Sequence, residues 1–65
     1  MKAGDKVMVR EYDDHWGRRI YSHPSPDGRG HHCYIMGGTA WTSRGATAYW
    51  MAADVRPATK EELER

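Results

Sequence analysis

Three groups of residues carry side chains capable of chemistry. His31-His32-Cys33, with His23 upstream, offers imidazole and thiolate, both good zinc ligands. A structural zinc site takes four ligands in paired spacing, and the chain has no Cys-x-x-Cys and no His-x-x-x-His pair. Neighbouring strand residues also point to opposite faces, so His31 and Cys33 can share a site that His32 cannot join. The expectation is no metal and no cofactor. Asp13-Asp14-His15 has the residue types of an acid–base site. Such groups need a desolvated pocket that tunes their pKa values, and a hairpin tip is wet. Cys33 has no activating neighbour in sequence to make it a nucleophile. The chain reads as a non-enzyme.

The third group is the most suggestive. Arg10, Tyr12, Trp16, Arg18, Arg19 and Tyr21 interleave aromatic and basic side chains over one predicted hairpin. Aromatic faces plus cations hold single-stranded nucleic acid by stacking and phosphate pairing. Trp, Tyr and Arg are equally the usual anchors of protein interfaces. Aromatic rings can also cage a cation, or simply fill a thin core. Tyr12, Trp16, Arg18, Arg19 and Tyr21 are the candidate binding residues, aided by the loop over residues 24–30. The C-terminal charges are assigned no part in binding.

Size and composition limit what can position these residues. A chain of 65 residues has room for one domain and buries only about 60% of the surface its unfolded form exposes. Cys33 is the sole cysteine, so no internal disulfide staples the fold. Three Trp and four Tyr are the heavy residues available for a core, and Phe is absent. Ten Lys+Arg stand against nine Asp+Glu. That balance lacks the basic excess of a sequence-independent nucleic-acid binder. Glu61, Glu62 and Glu64 hold three of the nine acids, which leaves the rest of the chain mildly basic. No signal peptide is visible and no apolar run approaches the ~18 residues of a membrane span. A lone thiol without a secretion signal fits a cytoplasmic protein.

The pattern along the chain is that of short strands. Lys6 to Tyr12 alternates Val7 and Val9 with Lys6, Met8 and Arg10, which predicts a first strand. Residues 13–17 read as a turn, and residues 18–23 as a second strand with Ile20 facing the same interior as Val7 and Val9, and Tyr21 and His23 on the opposite face. Residues 24–30 hold two Pro and two Gly and predict a loop. A third strand follows over 31–36, with Cys33 and Ile35 inward, closed by Gly37-Gly38. A short fourth strand is expected over 39–43 around Trp41, then a turn at Arg44-Gly45. Residues 46–55 mix helix and strand formers, and a strand over 49–51 is the preferred reading. Pro57 interrupts any ladder. Thr59-Lys60-Glu61-Glu62 fits a capping box, with one turn of helix after it. The expected fold is mainly β: one small five-stranded barrel or bent sheet over residues 1–65, with a C-terminal helical turn.

The run Gly4-Asp5-Lys6-Val7-Met8-Val9-Arg10 resembles the opening of many SH3-like barrels. Extended through Glu11-Tyr12-Asp13-Asp14 with Trp16, and on to Arg19-Ile20-Tyr21-Ser22-His23, it is similar to short proteins encoded by bacteriophages and prophages. The ending Trp50…Val55-Arg56-Pro57-Ala58-Thr59-Lys60-Glu61-Glu62 resembles the tails of the same proteins. The resemblance covers about half the chain and skips its middle. It implies an SH3-like barrel of phage origin that binds a host protein, such as a defence component, in the host cytoplasm. It implies no catalytic residues. Nucleic acid is the alternative partner, and a homo-oligomer that buries exposed Trp is the third reading.

Overall fold

The computed structural model describes residues 1–35, 41 and 43–64. Its described residues form five antiparallel strands, a 3-10 turn and one short helix. These are β1 (Lys6–Tyr12), β2 (His15–Pro24), β3 (Gly30–Tyr34), β4 (Thr47–Met51), the 3-10 turn Ala52–Asp54, β5 (Val55–Pro57) and α1 (Lys60–Leu63). The strand order is β4-β3-β2-β1-β5.

β1 has the bounds its alternation predicts. β2 starts three residues earlier than expected, because Asp13 and Asp14 alone make the turn. Asp13 takes φ 46°, a left-handed conformation that Asp enters more readily than most residues. An irregularity between Arg10 and Tyr12 absorbs the offset, so Tyr12 pairs with His15. Gly17 looks like a turn residue in the sequence but sits inside β2. Its missing side chain leaves room for the Glu11 carboxylate, which occupies the place of a Cβ.

β2 changes partner midway, which bends the sheet. Residues up to Ile20 pair with β1, while Tyr21, His23 and Pro24 pair with β3. A second irregularity lies between Tyr21 and His23. The core gathers Val7 and Val9 from β1, Tyr21 from β2, Cys33 from β3 and Val55 from β5, with Trp50 of β4 packed against them. Every strand contributes to it.

This register corrects the expected core. Residues directly opposite in an antiparallel pair share a face. Val7 lies opposite Arg19 and Lys6 opposite Ile20. Ile20 is therefore buried on the far side of the sheet with Met8, and Tyr21, expected outside, is 2% exposed in the core. Ile35 lies beyond the end of β3 and is 46% exposed. Of the expected strand over 39–43, residues 39, 40 and 42 fall outside the described residues, and Trp41 and Ser43 are not in a strand. The fifth strand is Val55–Pro57, paired with β1. Pro57 ends it at the sheet edge, where a missing N–H is tolerated.

The capping box forms as expected. The Glu62 amide donates to Thr59 Oγ1 at 3.2 Å and the Thr59 amide donates to the Glu62 carboxylate at 2.8 Å. Leu63 is still 45% exposed, so apolar burial is not what holds this turn. Arg56 donates to both Glu62 oxygens, at 2.8 and 2.9 Å. These bonds, Arg56 first, hold the Glu62 carboxyl down at about 2, below its ordinary 4.5. A depressed carboxylate stabilises above its unfolded pKa and loses that contribution as pH falls through its folded one. The turn is expected to hold above pH 4.5 and to loosen as pH falls towards 2. Arg56 also lies 4.9 Å from the centre of the Trp16 ring, so Trp16 fluorescence should report the step. A Glu62→Gln variant should lack it. An identical acid transition in that variant would assign the step to another group.

Candidate binding face

The outward residues of β1 are Lys6, Met8 and Arg10. Their cross-strand neighbours on β2 are Ile20, Arg18 and Trp16, and Arg56 of β5 stands opposite Met8. One face of the sheet thus alternates cations with apolar residues across three strands. Met8 and Ile20 are 6% and 7% exposed and form its floor. Trp16 is half-buried, with the Arg10 and Arg56 guanidinium carbons 5.2 and 4.9 Å from its ring centre. Trp41 reaches the same face, where Lys6 and Arg18 each lie 5.6 Å from its ring centre. Such pairs contribute about 0.5–2 kcal/mol each, more when desolvated.

Acidic residues partly offset this charge. Asp54 lies 3.4 Å from Arg10 Nε. Glu62 holds Arg56 bidentately and raises its pKa above the ordinary value. The C-terminal turn, expected to be a source of loose charges, therefore supports this face.

The five candidate binding residues are divided by the fold. Trp16 and Arg18 come together here. Tyr12 is 62% exposed at the hairpin tip, where its ring tilts over His15 at 4.4 Å. Arg19 points to the other side of the sheet. Its side chain is 11% exposed, ion-paired to Glu11 at 2.7 Å and 5.8 Å from the centre of Trp50. Tyr21 is buried with its hydroxyl 2.8 Å from His31 Nδ1, and desolvation raises its pKa. Both side chains are turned to the core side of the sheet. Lys6, Trp41 and Arg56 join the face without having been singled out in sequence. Alternation along β1 marks Lys6. Arg56 gives no signal in sequence, because no strand is expected over residues 55–57.

The other groups are separated as well. His31 and Cys33 face inward. His32 stacks on His23 outside, with centroids 4.7 Å apart and planes at 10°. Among the described residues no three potential ligands cluster for a metal. Burial pushes the Cys33 thiol up to about 11, which keeps it protonated at neutral pH. His15 Nε2 is 4.0 Å from Asp14, with both side chains largely in solvent. An open groove of about 560 Å³ runs between the N-terminal turn and α1, lined by Met1, Val7, Pro57 and Leu63 among others. No helix among the described residues is long and apolar enough to cross a membrane. In comparisons with known proteins, no family model, curated protein or solved structure matched the chain.

Proposed function

We propose that this chain is a non-enzymatic, phage-type binding module of SH3-like form that docks onto an acidic surface of a host protein in the host cytoplasm. The observation that carries this reading is the face built from Lys6, Arg10, Trp16, Arg18, Trp41 and Arg56. Its tryptophans are positioned by flanking cations before any partner arrives, which lowers the ordering cost of binding. Trp and Arg are also the side chains that dominate interface energetics. The resemblance of the opening and closing segments to phage proteins supports a host target.

The same geometry weighs against single-stranded nucleic acid. Stacking needs open ring faces, whereas each of these indoles already has two cations within 4.9–5.6 Å of its centre. Two of the cations are also engaged by carboxylates.

The test compares the immobilised full chain with a Lys6→Glu, Arg18→Glu variant of matched thermal stability. Each is exposed to bacterial lysate with and without nuclease. Wild type is expected to retain one protein despite nuclease, and the variant to bind it at least about 30-fold more weakly, the equivalent of ~2 kcal/mol. Release by nuclease would transfer the function to nucleic acid. Equal capture by the variant would remove this face from the site.

A further inference from the structure

β4 is the outermost strand on one side of the sheet. Among the described residues it pairs with β3 and with nothing else. In an antiparallel pair, alternate residues turn their backbone N–H and C=O to opposite sides. Two hydrogen bonds fix which residues turn which way. Ile35 N–H donates to Ala46 O, and Ala52 N–H donates to Arg29 O. Ala48 and Trp50, in phase with Ala46 and Ala52, therefore face β3. Thr47, Tyr49 and Met51 turn their backbone groups away from it.

Sheet edges are usually blunted by charges, Pro, bulges or a covering element. Thr47-Ala48-Tyr49-Trp50-Met51 has no charge and no Pro, and its pairing with β3 is regular from Gly30↔Met51 to Tyr34↔Thr47. Its outer-face side chains are also open, with Tyr49 43% and Met51 60% exposed.

We infer that this edge is an interface for a second copy of the chain, joined β4 to β4 in antiparallel fashion about a twofold axis at Tyr49. The register follows from the phase of the backbone. With Tyr49 opposite Tyr49, each Thr47 falls opposite the second copy's Met51. All the outward N–H and C=O groups of the strand then find partners. A slip of one residue would set outward groups against inward ones, and a slip of two would leave a terminal residue unpaired. The flanking charges agree with this direction. Arg44 leads into β4, and the 3-10 turn that follows it carries Asp54, already paired with Arg10 of its own chain, so antiparallel pairing directs the basic approach of one copy towards the acidic exit of the other. An edge strand that pairs with itself about a twofold forms a closed, isologous contact rather than a fibre. The Lys6–Arg18–Arg56 face lies on other strands, so the contact does not depend on the function proposed above.

The register makes a charge-swap test possible with the full chain. Sedimentation of wild type over about a hundredfold concentration range should show a species of twice the 7.5 kDa chain mass, dissociating on dilution. A Thr47→Lys, Met51→Lys variant sets Lys against Lys at both ends of the contact and should sediment as a monomer. A Thr47→Lys, Met51→Glu variant sets Lys against Glu and should dimerise. Amide exchange at Tyr49 should slow as wild-type concentration rises. Monomeric wild type throughout that range overturns the inference. So does a dimer that the Lys/Lys variant leaves intact, or a Lys/Glu variant that is folded by far-ultraviolet dichroism and monomeric.

Discussion

A Tyr21→Ala variant is expected to lose about 3–5 kcal/mol, the range for emptying an aromatic site in a core. A chain of 65 residues holds a reserve of roughly 3–10 kcal/mol, so this one change should leave the domain largely unfolded at physiological temperature. Tyr21 is the largest side chain of a cluster otherwise built from three Val and a Cys. Tyr21→Phe is the matched control. It keeps the ring, gives up the bond to His31 Nδ1, and should cost about 1 kcal/mol. Urea unfolding of the three proteins, followed by Trp fluorescence, separates the two contributions. A Tyr21→Ala midpoint within error of wild type would mean that Tyr21 lies outside the core.

Reversing the charge of Arg19 should be nearly as damaging. Arg19 is the most enclosed cation in the described ion pairs, and its guanidinium bonds to Glu11 and to the Arg18 carbonyl while lying over Trp50. Arg19→Glu would bring two carboxylates together in a half-desolvated site. Uncompensated charges of this kind cost about 3–5 kcal/mol when fully buried. The partial exposure of Glu11 puts the expectation near the lower end, about 3 kcal/mol. Adding Glu11→Arg to Arg19→Glu restores opposite charges and should recover part of the loss in thermal denaturation. A swap no more stable than Arg19→Glu alone would show that the loss is one of packing against Trp50, not of charge.

Arg19 also shows where sequence reading succeeds and where it stops. Alternation is a local property, and it located β1 to the residue and placed Cys33 inside. The capping box is equally local, and Thr59 and Glu62 form it. Which neighbouring strand residue faces inward on β2 is a different matter. It depends on the register against β1, and that register is set by a two-residue turn and an irregularity before Tyr12. An offset of one residue exchanges Ile20 for Tyr21 and Arg18 for Arg19, because side chains alternate with period two. The hairpin is therefore legible in sequence, while two of its five candidate binding residues, Arg19 and Tyr21, lie on the core side of the sheet. Arg56 and Trp41 were missed for another reason. They meet Trp16 and Lys6 only through contacts distant along the chain, which no short window of sequence contains.

The strand order has a consequence for how the chain assembles. β1 with β2, β2 with β3, and β3 with β4 are each neighbours in sequence as well as in space, joined by two, five and twelve residues, so each pairing closes a loop much shorter than the chain. The pairing of β5 with β1 alone spans nearly the whole chain. Its closure entropy is the largest of the set, though it grows only logarithmically with length. Contacts so distant in sequence are the ones that slow folding. The three-residue β5 thus acts as the latch of the fold: its one pairing with β1 places Val55 in the core and Arg56 on Trp16 together.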